Sequence, residues 1–500
     1  MALVGPNGSG KTTLAKHFNG IYANTPQSLQ YMGTSLSSDV ITKLRLATGV
    51  LFQDPDDHLF CNTLYEDVAF GPMNQGLPQD TVEQRVLDSL SAVGLEHLLY
   101  KPAHLLSYGQ KKRAAFAAIT AMQPEVLILD EPTGNLDPRQ SEIFREILKA
   151  YTGTLIIIDH DLLFLYDLCD RAVVLSEGLI QHDYSFYELI SRRESLKTYG
   201  LDFTFRFSCC SSNHIQSENV HHSHHHATHD HSTRTHLSAG EHHAFPLLEL
   251  QHYSYRYPDG TPGIKDVNIV IRPGEKIALV GENGADKTTL ASCLLGMNRG
   301  KGYFLFHNRV LRSADTNMLW RSIGMVFQNT ADQLFCPSCA EEVAFGPRQL
   351  GVTGTELEER VHNALAMVHL QGFEEKVPLN MSGGQRKRLA IASVLSMQPD
   401  MIILDEPSAG LDPHGEELLL AILESLPATI LLISHDLFFV QTLTSRTLVM
   451  HQGMIIRDYS TPEFLHDDHL QSINKLNYTY NNTVCERIQK MQAGTGSSPR

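Results

Sequence analysis

The sequence predicts two α/β domains in tandem, each built on a mostly parallel sheet, and three observations carry that expectation; each domain is also expected to carry a helical subdomain, in the first copy from about Tyr65 to Leu105. Short segments recur at a fixed offset: Phe52 Gln53 Asp54 returns as Phe327 Gln328 Asn329, and Leu129 Asp130 Glu131 Pro132 as Leu404 Asp405 Glu406 Pro407, each 275 positions later. Ala69 Phe70 Gly71 Pro72 and His160 Asp161 Leu162 return at the same distance. Each copy also carries apolar runs of strand length that end in acidic or histidine residues, and each has a glycine-rich turn between a strand-like run and a helix-compatible stretch.

Composition bounds the function. The chain has 500 residues, with 40 Lys+Arg against 56 Asp+Glu and a formal net charge of −16. That balance argues against nucleic acid as a partner, because such binding draws its affinity from clustered cations on phosphate. No stretch approaches 18 consecutive apolar residues, so a membrane role needs a partner chain. Eight scattered cysteines do not form a disulfide framework, and reduced thiols in the cytosol are expected.

The first copy is expected to span residues 1–200. Gly5 Pro6 Asn7 Gly8 Ser9 Gly10 Lys11 Thr12 fits the phosphate loop G-x-x-x-x-G-K-[ST] after the apolar Ala2 Leu3 Val4. Backbone N–H groups and the helix N-terminus would face phosphate, Lys11 would meet the β and γ oxygens, and Thr12 would hold Mg²⁺. Val126 to Leu129 reads as a buried strand ending in Asp130 and Glu131. Two carboxylates at a strand end can divide the labour, Asp130 toward Mg²⁺ and Glu131 toward the attacking water. A second run, Leu155 to Ile158, ends at Asp159 and His160, which puts a histidine at a neighbouring strand end.

Ser107 Tyr108 Gly109 Gln110 and Ser382 Gly383 Gly384 Gln385 each precede a cationic helix start, Lys111 Lys112 Arg113 and Arg386 Lys387 Arg388. A serine and small residues at a helix N-terminus form a second anion site. One domain does not need two sites for one γ-phosphate, so the second is expected to serve a neighbour's nucleotide.

Residues 201–246 are expected to be a flexible linker, with eleven histidines between positions 214 and 243. Its densest run, His221, His222, His224, His225 and His226, suits Ni²⁺ or Co²⁺, and a solvated tether is the other reading. Cys336 and Cys339 form a lone C-x-x-C; Cys339 lies 275 positions after the apolar Leu64, which favours buried thiols over zinc. The second copy is expected over 247–471, followed by a polar tail, 472–500. It has recognisable sequence from Leu247, well ahead of its loop at Gly281, where Leu248 to Ile271 reads as a strand pair around Pro258 Asp259 Gly260. The first copy has only four residues before its loop, so this antiparallel layer is expected to be truncated there and Met1 to be an internal start or a fragment boundary.

With phosphate loop, glutamine loop, signature, acidic pair and strand-end histidine in order twice, the chain resembles two fused ATP-binding cassette (ABC) ATPases. Phe52 to Phe60, Asp332 Gln333 Leu334 Phe335 and the Val-Ala-Phe-Gly-Pro segments are similar to energy-coupling-factor transporter ATPases of the cobalt/nickel type. The resemblance implies ATP and Mg²⁺ as cofactors, with catalysis by Glu131, His160, Glu406 and His435. It implies nucleotide binding by Gly5, Asn7, Gly8, Gly10, Lys11, Thr12, Thr13, Gln53, Ser107 and Gly109. In the second copy the corresponding residues are Gly281, Asn283, Gly284, Lys287, Thr288, Thr289, Gln328, Ser382, Gly383 and Gly384, with Tyr257 stacking on adenine. The Mg²⁺ sites would use Thr12, Gln53 and Asp130, and Thr288, Gln328 and Asp405. It further implies a peripheral subunit on the cytoplasmic face of the cell membrane, under a transmembrane coupling protein and a substrate-binding membrane protein, powering micronutrient uptake. A soluble twin cassette acting on ribosomes or DNA, and a His-rich metal-storage or sensing protein, are the alternatives. Two departures stand out: Asp286 replaces the glycine that Gly10 supplies in the first loop, and Tyr108 stands where the second signature has Gly383. Both are expected to fall in one composite site, which should handle ATP poorly.

Overall fold

The computed structural model describes residues 1–22, 30–35, 38–134, 136, 138–202, 245–312, 315–465 and 467. The histidine-rich segment, including His221, His222, His224, His225 and His226, lies outside the described residues, as does the whole of the polar tail.

Each half folds around a six-stranded sheet with the same strand order. In the first half it runs Thr48–Leu51, Val126–Asp130, Thr154–Ile158, Ala2–Val4, Arg171–Ser176 and Leu179–Ser185. In the second it runs Ile323–Val326, Met401–Asp405, Thr429–Ile433, Lys276–Val280, Arg446–His451 and Met454–Ser460. All neighbours are parallel except the last pair in each sheet. The central strands read as unbroken apolar runs because both of their faces are covered. Along Lys276–Val280 the sides alternate: Ala278 and Val280 join the core beneath the helices, while Ile277 and Leu279 pack on the opposite side.

That opposite side is where the halves differ. In the second half a four-stranded antiparallel sheet, ordered Pro262–Ile271, Leu248–Arg256, Lys301–Phe306 and Arg309–Val310, covers it and buries Leu250, Ile269 and Phe306. In the first half the strands outside the six-stranded sheet, among the described residues, are those of the antiparallel hairpin Gln30–Tyr31 and Thr34–Ser35. The outer cluster there is correspondingly small, built on Leu3, Ala15, Val50 and Ile128.

The expected helical subdomain is the pair Leu64–Asn74 and Gln79–Ala92, packed on the helix Tyr108–Thr120. Its core is continuous with that of the sheet: Leu64, Val68 and Val86 belong to the same cluster as Leu127 and Leu129. The first of these helices starts where it does because Thr63 and Glu66 close a reciprocal capping box.

Cys339, the first residue of the helix Cys339–Gln349, is fully buried, as is its counterpart Leu64. Cys336 departs from the sequence expectation and is only partly buried, its backbone N–H donating to Glu342 Oε2 at 2.7 Å. Among the described residues no helix is long and apolar enough to cross a membrane.

Candidate nucleotide sites

Both phosphate loops turn from a sheet strand into a helix, Lys11–Phe18 and Lys287–Leu294. The first glycine of each is required by close approach: a Cβ on Gly5 would lie 2.0 Å from the Leu175 carbonyl oxygen, and one on Gly281 would lie 2.3 Å from that of Met450. Gly8 and Gly284 have positive φ, and a Cβ on either would meet open space. Lys11 Nζ folds back onto the carbonyls of Gly5 and Pro6 at 2.8 and 2.9 Å, and Lys287 does the same to Gly281 and Glu282. Burial holds Lys11 below the ordinary lysine range, opposed by the carboxylates of Glu131, Asp412 and Asp130. An arriving phosphate chain would replace these loop carbonyls.

Beneath each loop the acidic pair ends its strand as expected. Burial raises Asp130, with Thr12 hydrogen-bonded to it, and Thr288 Oγ1 donates to Asp405 Oδ2 at 2.8 Å. The threonine hydroxyls, the aspartates and the amide oxygens of Gln53 and Gln328 are hard oxygen donors of the kind Mg²⁺ takes, so these residues fit that ion. Glu131 and Glu406 have φ of 48° and 47°, a left-handed backbone that costs a side-chain-bearing residue about 1–2 kcal/mol. The same backbone recurs in both copies, as it also does at Gln123 and Gln398 and at Glu177 and Gln452.

Glu131 has both carboxylate oxygens engaged. Gln53 Nε2 donates to Oε2 at 2.6 Å, and His160 Nε2 lies 3.2 Å from Oε1. Burial pushes Glu131 up, but the bond and charge of His160 with the charges of Lys11 and Lys112 hold it below its ordinary value. In the second half His435 uses its other ring nitrogen, with Nδ1 at 2.9 Å from Glu406 Oε1, and the Ser434 hydroxyl lies 3.4 Å from Oε2. Burial lowers His435, but Glu406 outweighs it and the net shift is upward.

The signatures cap their helices, Tyr108–Thr120 and Gly383–Leu395. The Ser107 and Ser382 hydroxyls accept from the backbone N–H of Gln110 and Gln385, whose side chains accept in return. The cations that follow turn mostly to main-chain carbonyls. Lys112 is fully buried and donates to the carbonyl of Glu131 at 2.6 Å, while Lys387 donates to those of Glu406 and Ala409 at 3.1 and 2.7 Å. Arg113 and Arg388 donate to the carbonyls of Val93 and Val368, and Lys111 pairs with Asp56. The two buried lysines, with desolvation as the main cause, are pushed down to about 8. They tie each signature helix to the turn after the acidic pair, a role missed in the sequence. A lysine two residues beyond the signature glutamine in both copies was the available signal.

The halves meet head to tail. A cavity of about 960 Å³ is lined by Thr12, Gln53 and Asp130 together with Gly383 and Gly410 of the other half. It is also lined by Asn283, Gly284 and Gln328 with Ser107, Tyr108 and Gly109. Asn7 N–H donates across the junction to Asp412 Oδ2 at 2.9 Å. Thr13 is exposed beside Thr12 on the first loop helix.

The second loop also joins two residues that the sequence kept apart. Asp286 adopts the left-handed backbone of Gly10, with φ of 71° against 98°. Its Oδ1 accepts from the Tyr257 hydroxyl and from Thr289 Oγ1, both at 3.1 Å, while Tyr257 and Thr289 lie 2.6 Å apart. The aromatic ring expected under adenine is therefore clamped to the anomalous carboxylate.

The ABC transporter family profile matches residues 1–134 and 264–409. The chain belongs to this family. It is 33% identical over 512 residues to a chain from Methanosarcina mazei described as a candidate ABC transporter ATP-binding protein, covering 94% of this chain and 85% of that one. A similarly described chain from Methanosarcina acetivorans is 34% identical over 496 residues, covering 92% and 81%. Among solved structures, cbiO1 from Clostridium perfringens, described as part of the ABC transporter complex cbiONQ, is 33% identical, with a TM-score of 0.43 over 49% of this chain and 99% of that chain. As an ABC transporter ATPase, the chain binds and hydrolyses ATP as the ATP-binding subunit of a transporter, working with membrane-embedded components.

Proposed function

We propose that this chain powers uptake of a micronutrient, cobalt, nickel or a vitamin, from the cytoplasmic face of the cell membrane. Its partners would be a transmembrane coupling protein and a substrate-binding membrane protein. The observation that carries the reading is the cross-facing of loops and signatures within one chain, because two ATP molecules would then close the halves on each other without a second copy.

At the first site, Lys11 and the loop N–H groups bind the phosphates, and Ser107 or Ser382 completes each site from across the junction. Thr12, Asp130 and Gln53 hold Mg²⁺, which offsets charge on the phosphate oxygens when bound. Glu131 accepts the proton of the attacking water, and His160 orients that carboxylate. Glu406 and His435 take these roles at the second site.

The coupling surfaces would be paired aromatics beside the glutamine loops. Phe60 and Phe70 stack edge to face at 5.0 Å, Phe335 and Phe345 at 4.9 Å, and all four are exposed. Buried acids hold each loop in place: Asp67 accepts from the N–H groups of Phe60 and Cys61, and Glu342 from those of Phe335 and Cys336. Large exposed apolar pairs of this kind suit a partner's helix. Affinity purification of the tagged chain from its own membranes tests the reading. It should bring down two integral membrane proteins, lost together in a Phe60→Asp, Phe335→Asp variant. Recovery of ribosomal or nucleic-acid-bound partners instead would contradict it.

A further inference from the structure

The replacement of a signature glycine by Tyr108 links two places that belong to different nucleotide sites. The Tyr108 hydroxyl lies 3.4 Å from the main-chain carbonyl of Gln53, to which it donates. The side-chain amide of that same Gln53 donates to Glu131 Oε2 at 2.6 Å. A second tie runs alongside, the 2.6 Å ion pair between Lys111 and Asp56, joining the signature helix to the same loop. The second copy has Gly383 in place of Tyr108 and Ala331 in place of Asp56, so neither side chain is repeated. In the head-to-tail packing Ser107 to Gly109 serve the second phosphate loop, while Gln53 and Glu131 serve the first.

We propose that Tyr108 is a positioning residue that couples nucleotide binding at the second composite site to Glu131 of the first, through Gln53. The inference rests on the composite-site reading above. With Gln53 on one oxygen and His160 near the other, Glu131 has little freedom to take a proton from water. Gln53 must let go before it does. Nucleotide drawn onto Ser107 and Gly109 moves the N-terminus that carries Tyr108. A 3.4 Å O–H···O contact is long enough that a shift of a few tenths of an ångström decides whether it holds or breaks. The loop at Gln53 is thus a bistable element biased from a distant ligand, which is what coupling between sites requires.

The test is the steady-state ATPase of the purified full chain against Mg·ATP concentration, for wild type, Tyr108→Phe, Gln53→Ala and the double variant. Wild type should be sigmoidal. Tyr108→Phe removes one oxygen and should become hyperbolic, with activity at low Mg·ATP raised about fivefold, the worth of one ordinary hydrogen bond, half-saturation lowered and kcat at saturation unchanged. In the Gln53→Ala background the same change should do nothing. Unchanged cooperativity in Tyr108→Phe, or an effect undiminished without the Gln53 side chain, would overturn the relay while leaving the composite sites standing. Hydrolysis undiminished in Glu131→Gln would overturn the composite-site reading itself and the relay with it.

Discussion

Replacing Asp286 with glycine should convert the second phosphate loop from a poor nucleotide site to a good one. Three terms set the size of the change. A carboxylate about 5–7 Å from a phosphate charge costs about 2–3 kcal/mol per unit charge at an effective dielectric near 20. Nucleotide must also compete with the bonds that Asp286 makes to Tyr257 and Thr289, each worth about 1 kcal/mol, although freeing the tyrosine to stack returns part of that. The left-handed backbone at φ 71° strains the aspartate with or without nucleotide, so glycine there adds about 1 kcal/mol to folding stability and little to affinity. The net gain is about 2 kcal/mol, or about thirtyfold in dissociation constant. Calorimetric titration of Asp286→Gly with ATP, in a Lys11→Ala background that silences the first loop, reads it directly. An affinity within threefold of the Asp286 protein would refute the reasoning.

Three further outcomes follow from particular contacts. His58 Nε2 accepts from the Phe52 N–H at 2.9 Å, and burial, opposed by Asp57 and Asp54, holds the imidazole down to about 4, so it is neutral at pH 7. Gln333 accepts from Phe327 in the same way, so His58→Gln should leave the thermal midpoint almost unchanged, whereas His58→Leu, which orphans that N–H, should cost about 1–3 kcal/mol. Asp159 is buried beside Asp161 and pushed up to about 6, so the folded state binds a proton the unfolded chain does not, and stability falls as pH rises from about 4 through 6. Asp159→Asn should therefore be more stable by about 3 kcal/mol at pH 7.5 and by about half that at pH 5, measured by urea unfolding; a gain independent of pH would count against this. Lys387→Met takes the lysine from the carbonyls of Glu406, which keeps the Ala409 N–H at 3.3 Å, and of Ala409, and should lower stability by about 1–3 kcal/mol while slowing hydrolysis, with melting and ATPase assays as the checks.

Much of this architecture was legible because duplication fixes register. The constant offset placed the glutamine loops, acidic pairs and strand-end histidines at equivalent points of two sheets, and apolar runs such as Val126 to Leu129 marked the central strands. Strand order was not legible: nothing local in Ala2–Val4 says that it lies between Thr154–Ile158 and Arg171–Ser176. The role of the cations after each signature was not legible for a related reason. Charge on a helix start suggests an anion, yet a lysine whose Nζ reaches buried carbonyls satisfies the same pattern, and only the fold shows which surface it faces. The clamp between Tyr257 and Asp286 joins residues 29 positions apart in sequence and depends on the antiparallel layer folding back over the loop.

The central claim is that one composite site, Lys11, Asp130, Glu131 and His160 with Ser382, Gly383 and Gly384, carries most of the hydrolysis, because Asp286 and Tyr108 both fall in the other. Steady-state ATPase of Glu131→Gln and Glu406→Gln, each in the full chain with its membrane partners, tests it most directly. The account predicts that Glu131→Gln removes most of the activity and Glu406→Gln much less. Equal losses from the two variants would contradict it.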